Sequence, residues 1–427
     1  MTDTILLSWI YILLIIAFAK ALGEVLSRIN QPAIVGELLA GIVLGPVLLG
    51  SVFSGLGEMY NSNVGAGEFI GQLADIGMLF LMLYVGLEFS PRLIKASSWL
   101  GGAIAAVGVA FPMLLGLGVG FYFGLSGATL AFTAVAISVT ALPVTIRILK
   151  DLEVLRTRTS TTIISAALIT DVALLFALGI ILGTQESATW ETVVILSVSF
   201  ASFFLVALAF GRYVVPYLYR LLRWMQTGEA AFALAIGVAI AFAVVAEWTG
   251  LPGVVGAFIA GLLLREMGTG LKVWARVRDI LSGITLGFLA PIFFVRIGFS
   301  VDFGALLNHL PLFIAVTVVA ILGKVLGSYV PARLGGLGQN ESMAIGWMMM
   351  GKGAMELVFA QLALERGLFE GREYLFSVLV VMAFVSTILA PILFKVFFNR
   401  AVHASEIVPA MKGTDQLADI EPTSRYT

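Results

Sequence analysis

Cysteine is absent from the chain, which excludes a disulfide framework and any thiolate metal site. His309 and His403 are the only histidines, too few for a zinc or haem site. Charge is scarce too. Acidic and basic residues make up 12% of the 427 residues and nearly cancel, 26 Asp and Glu against 25 Lys and Arg, so the balance gives no sign of a nucleic-acid partner. No nucleophile accompanies a base, which argues against an enzyme, and no TVGYG-like run suggests a selectivity filter. No cofactor is expected.

What the chain has in abundance is apolar surface: 60% of it is hydrophobic, with a mean hydropathy of +1.04. Repeated runs of about 20 apolar residues each match a roughly 30 Å hydrocarbon core. The reading is an all-α polytopic membrane protein with thirteen transmembrane helices, at 5–24, 32–50, 69–88, 99–123, 126–149, 160–183, 191–219, 229–248, 251–266, 280–299, 307–332, 341–364 and 373–397. The first run lacks a basic leader and is expected to be retained rather than cleaved.

Basic residues give an orientation, because short cytoplasmic loops retain Lys and Arg. Of the 25, 20 fall on one side, including Arg147, Lys150, Arg156, Arg276 and Arg278; Arg366 and Arg372 fall on the other, and Arg296, Lys324 and Lys352 lie within spans. The N-terminus is therefore expected outside and the C-terminus in the cytoplasm. The polar tail 401–427 reads as disordered and too short for a nucleotide-binding domain.

An internal repeat organises the spans. PAIVGELLAGIVLG at 32–45 aligns without gaps on PGVVGAFIAGLLLR at 252–265, and LYVGLEFS at 83–90 on FFVRIGFS at 293–300. Spans 1–6 then correspond to 8–13, and the odd seventh span inverts the second copy. Inverted repeats with midplane sites are the architecture of secondary transporters. In such folds paired discontinuous helices mark the site. The fifth span carries Pro143, which removes a backbone donor, with Thr133, Ser138 and Thr140 to satisfy freed groups. Its repeat partner, the twelfth, carries Gly351 and Gly353 around Lys352, which permit unwinding.

Ionisable residues converge at the same depth. Asp171 is the only charge between Ser160 and Gln185, about 18 Å along the sixth span from its cytoplasmic start. Lys324 reaches a similar layer, and Lys352 and Glu356, four apart, lie roughly 16 and 22 Å deep. Each is costly in lipid and a functional candidate by default. A buried carboxylate beside an ammonium can hold a proton or a small alkali cation, and competition between the two couples opposite movements. Thr170 and the unwound carbonyls of the fifth span offer further hard oxygen ligands, while Lys352 and Glu356 offset helix-dipole ends.

The block ISVTALPVTIRILKDLEVLRTRTSTTIISAALITDVALLFAL, with GLEFS at 86–90, PIFFVRIGFSVD at 291–302 and GAMELVFAQLAL at 353–364, resembles the monovalent cation:proton antiporter-2 family. That family includes potassium efflux systems, plant cation/proton exchangers and bacterial sodium/proton antiporters. The resemblance implies a sodium/proton antiporter-like fold, a homodimer in a prokaryotic inner membrane, Na+ or K+ and H+ as substrates, and an elevator mechanism. It implies scaffold helices over 1–98 and 225–303, core transport helices over 99–186 and 304–400, a linker helix over 187–224, and a cytoplasmic tail from 401 to 427. Asp171 would be the ion-binding carboxylate and Lys324 the core lysine. Thr170 stands where electrogenic relatives carry a second acid, so a lone carboxylate points to electroneutral 1:1 exchange, with Lys324 available as a second titrating or pairing group.

Smaller candidates complete the reading. Glu37 is a candidate for the inner access path or for reaching headgroups, and Asp75 for the outer entrance or for helix packing. Arg296 is expected to snorkel to lipid headgroups, and Glu247 to need no special role. The competing functions are a sodium-coupled symporter of an organic solute, a potassium efflux pore and a membrane sensor. A pore would pass cations without compulsory proton counterflow.

Overall fold

The computed structural model describes residues 2–29, 31, 33–45, 65–88, 99–140, 157–183, 228–249, 253–268 and 272–407, with isolated positions or short pieces at 145, 149, 154, 198, 202–203, 205–207, 209–214, 217–218, 220 and 251. The elements are α1 (Thr2–Arg28), α2 (Ala33–Leu44), α3 (Gly65–Glu88), α4 (Trp99–Tyr122), α5 (Gly127–Ser138), α6 (Arg158–Gly183), α7 (Gly228–Trp248) and α8 (Gly253–Gly268). They continue with α9 (Lys272–Ile284), a π turn Thr285–Leu289, α10 (Ala290–Phe299), the short α11 (Phe303–Asn308), α12 (Leu310–Leu334), α13 (Gln339–Met349), α14 (Ala354–Glu365) and α15 (Tyr374–His403). Among the described residues seven helices are long and apolar enough to cross a membrane, which makes the chain a multi-pass membrane protein. Most of the expected seventh span, 191–219, lies outside the described residues, as do Pro143, Arg147, Lys150 and Arg156.

Two boundaries differ from expectation for local reasons. The fifth span was expected at 126–149 with a break around Pro143; α5 stops at Ser138, and Val139 is extended at φ −61°, ψ 147°. The tenth is longer than the expected 280–299, because α9 feeds through the π turn into α10. A π turn displaces the regular i to i−4 bonding, and Nζ of Lys20 on α1 donates to the Leu286 carbonyl there at 2.5 Å.

Glycines set the closest crossings. Gly36 meets the α1 backbone at Leu22 and Gly23, and its aligned counterpart Gly256 meets the α7 backbone at Phe242 and Ala243. Gly41 of α2 abuts the Val295 carbonyl and Gly298 of α10, while Gly261 of α8 abuts the Leu83 carbonyl and Gly86 of α3. Without hydrophobic drive between helices in lipid, such small-residue contacts carry the association. A Cβ at Gly41 would enter the α10 backbone, so Gly41→Val is expected to cost about 1–3 kcal/mol. A lower thermal midpoint in detergent checks this; an unchanged midpoint would mean that the crossing tolerates separation.

Elsewhere α4 lies along α12, α6 packs on α4, α5 and α13, and α13 packs on α12 and α15. These neighbours enclose the buried charges.

Candidate functional site

The centre is a crossing of two interrupted elements. The chain leaves α5 at Ser138 in an extended conformation, and Thr140 Oγ1 donates to the Met349 carbonyl at the end of α13, 2.9 Å away. Opposite, residues 351–353 are non-helical, and Gly353, extended at φ −165°, caps the start of α14. Glycines on both sides of Lys352 explain why the twelfth span breaks there and not a turn away.

The break aims Lys352 back at α5. Its Nζ donates to the carbonyls of Ala136 at 2.8 Å, Ile137 at 3.1 Å and Val139 at 3.4 Å. Lys324 reaches the same helix end from α12 and donates to the Ser138 carbonyl at 2.5 Å. The last carbonyls of a helix lack intrahelical donors and carry the negative end of its dipole. Two lysine side chains, each 1% exposed, answer that need in the interior of the bundle. The carbonyls of Ala136, Ile137, Ser138 and Val139 thus accept hydrogen bonds from the two lysines.

Glu356 lies in the first turn of α14, where the dipole favours an anion. Its Oε1 is 3.3 Å from Lys352 Nζ, an ion pair buried at both ends, and neither carboxylate oxygen has a hydrogen-bond donor among the described residues. Asp171 and Thr170 sit on α6, 3% and 0% exposed. The Thr170 hydroxyl is buried without a hydrogen-bond partner among the described residues. Asp171, Glu356 and Lys352 all act electrostatically on the Lys324 ammonium. The structure therefore brings Thr140, Lys324, Lys352, Glu356, Gly351 and Gly353 to one crossing, with Asp171 and Thr170 buried on α6, which packs on α5 and α13, whereas Pro143 lies outside the described residues.

The access-path candidates lie apart. Glu37, 6% exposed, is paired with Lys20 at 2.7 Å. Asp75 is held by Arg296 at 2.8 Å. Arg296 also donates to the Gly71 carbonyl at 2.9 Å and faces Glu365 at 3.9 Å, tying α10 to α3 and α14. Glu247, given no role from sequence, accepts from the Gly253 amide at 2.7 Å and pairs with Arg366 at 3.3 Å.

Three contacts had no signal in the sequence. Thr387 of α15 donates to the Lys352 carbonyl at 2.9 Å. Thr159 of α6 donates to buried Glu341 of α13 at 2.7 Å. Glu406 accepts from the Glu341 amide and from Asn340, capping α13. Each joins elements remote in sequence, where no spacing rule reaches.

A multi-pass bundle with interrupted helices crossing beside buried charges is the build of a secondary transporter. Residues 13–400 match the family described as sodium/hydrogen exchanger, transmembrane, and the chain belongs to that family. It is 30% identical over 396 residues to a probable Na+/H+ antiporter, GerT, of Bacillus cereus, covering 92% of this chain and 100% of that one. It is 29% identical over 401 residues to the Na+/H+-K+ antiporter GerN of Bacillus cereus, covering 92% and 98%. The solved structure of the sodium proton antiporter MjNhaP1 from Methanocaldococcus jannaschii at pH 8 superposes with a TM-score of 0.72 over 92% of this chain and 98% of that one. At 16% identity that likeness shows the fold.

Proposed function

We propose that the chain exchanges Na+ or K+ for H+, with cation and proton competing for Asp171. The observation that carries this reading is the Asp171–Thr170 pair: a buried carboxylate next in sequence to a buried hydroxyl oxygen that has no hydrogen-bond partner among the described residues. An alkali cation needs such hard oxygens, and a carboxylate that loses its cation in a dry site takes a proton instead. The names of the relatives support the same substrates.

In this proposal α4–α6 and α12–α15 move as a core against a scaffold of α1–α3 and α7–α10, carrying the site across the membrane in a homodimer with its C-terminus in the cytoplasm. Lys352 and Lys324 hold the broken end of α5 during that movement. Because Thr170 replaces a second acid, one cation exchanges for one proton and no net charge crosses.

The test uses purified protein in liposomes with an internal pH dye and an imposed proton gradient, challenged with Na+, K+ or choline. Dissipation by Na+ or K+ but not choline supports antiport, and the more effective cation names the substrate. Unchanged dissipation rates under an imposed membrane potential support 1:1 exchange. If neither cation moves protons in correctly inserted protein, antiport is wrong.

The ion pairs Arg366–Glu247 and Arg296–Glu365 join α14 to α7 and α10, so a moving core must part them. Absence of native cysteine makes this accessible to cross-linking. With Glu247→Cys and Arg366→Cys joined by a short bis-thiosulfonate linker, exchange is expected to stop and to return on reduction. Full activity in the linked protein would refute movement at this seam.

A further inference from the structure

Resting on the antiport reading, we infer that Thr387 is a positioning residue for Lys352, holding the break between α13 and α14 in the conformation that delivers the ammonium to α5. The carbonyl of Lys352 precedes the N-cap Gly353, whose own carbonyl accepts the amide of Leu357. It lies outside α14 and has no intrahelical donor. Lys352 is 1% exposed, so bulk solvent does not reach it.

Thr387 does. Its Oγ1 lies 2.9 Å from the Lys352 carbonyl and 2.7 Å from the Ala383 carbonyl one turn back on α15. A hydroxyl has a single proton and serves one acceptor at a time. Position 383 lies inside a continuous helix, where its carbonyl receives the amide four residues on. The proton is therefore surplus at Ala383 and needed at Lys352. Thr387 and Gly353 also line a small apolar cavity against Val35 and Leu38 of α2, which offers no competing polar partner.

The consequence is directional. With the carbonyl held by α15, the Lys352 side chain leaves the backbone toward the Ala136, Ile137 and Val139 carbonyls and keeps Glu356 paired. Without that bond the peptide can rotate, and the ammonium loses its fixed origin.

The experiment compares Thr387→Val, which keeps the shape and removes the donor, with Thr387→Ser, which keeps the donor and removes the methyl. Exchange is measured against pH and cation concentration in proteoliposomes, and amide deuterium uptake is followed over 350–357. Thr387→Val is expected to lower turnover about tenfold, the scale of one buried acceptor left unmade, to move the pH profile, and to raise uptake across the break. Thr387→Ser is expected to stay within about twofold of wild type, since the bond survives. An unchanged pH profile and uptake in Thr387→Val would overturn the inference. So would a serine variant as defective as the valine one, which would make the role one of packing. If the wild type exchanges neither cation, the antiport reading falls by itself, and deuterium uptake still decides whether Thr387 holds Lys352.

Discussion

Asp171→Asn is expected to abolish cation-driven proton movement while leaving the protein folded. Asparagine keeps the shape and an acceptor oxygen but neither carries the negative charge nor takes up a proton at working pH. At a site 3% exposed bulk solvent does not replace that charge, so under the proposed antiport both substrates lose their shared ligand. A fall of at least about 100-fold in exchange rate is expected for loss of a buried charged ligand. Stability should change far less, because the substitution also removes the cost of burying a carboxylate. The second arm of the test is cation-dependent stabilisation. Saturating Na+ or K+ should stabilise the wild type, as any ligand of the native state does, by about 2.7 kcal/mol at 100 times Kd, and so raise its thermal midpoint. The Asn variant should show no rise. Retention of cation-dependent exchange by Asp171→Asn would move the ion site elsewhere in the bundle.

Removal of the Lys352 ammonium should instead cost stability. Lys352→Met leaves the Ala136, Ile137 and Val139 carbonyls without their donor. It also leaves Glu356, 2% exposed and with no hydrogen-bond donor on either oxygen among the described residues, without its ion-pair partner. Breaking one side of a buried pair typically costs 3–5 kcal/mol, roughly the whole margin of many domains. The double variant Lys352→Met/Glu356→Gln removes the orphaned charge as well. It should recover part of the lost stability, because a neutral side chain is cheaper to bury than an unpaired carboxylate. Transport should not recover, since the end of α5 is still unheld. Thermal unfolding of the wild type, both single variants and the double variant gives the coupling energy directly. A coupling near zero would mean that the 3.3 Å contact contributes nothing and that Lys352 acts through the carbonyls alone.

Much of this arrangement is legible along the chain. Hydropathy marks the spans because each must cover the same hydrocarbon thickness, and a lone acid within such a run is conspicuous because burying it is expensive. The Gly351–Gly353 frame announces a break, since glycine on both sides of a residue frees the backbone. The aligned glycines Gly36 and Gly256, and Gly41 and Gly261, each lie where a Cβ would meet the backbone of a neighbouring helix, so small residues were legible as close contacts.

Other features resist such reading. Pro143 suggested where the fifth span breaks, yet α5 already ends at Ser138, where Lys324 and Lys352 receive its carbonyls. Arg296 read as a snorkelling cation and is held by Gly71 and Asp75. Glu247 read as an idle helix end and pairs with Arg366.

By itself, then, the sequence determined the membrane-spanning class, the scarcity and depth of the charges, and the break around Lys352, because all of these follow from local composition and backbone freedom. Only the tertiary structure decided which carbonyls the two lysines serve, that Thr387 donates to the Lys352 carbonyl, and that Arg366 pairs with Glu247. Long polar side chains choose partners by proximity across helices remote in the chain, and the cost of leaving them unpaired in a dry interior enforces the choice without leaving a pattern in the neighbouring residues.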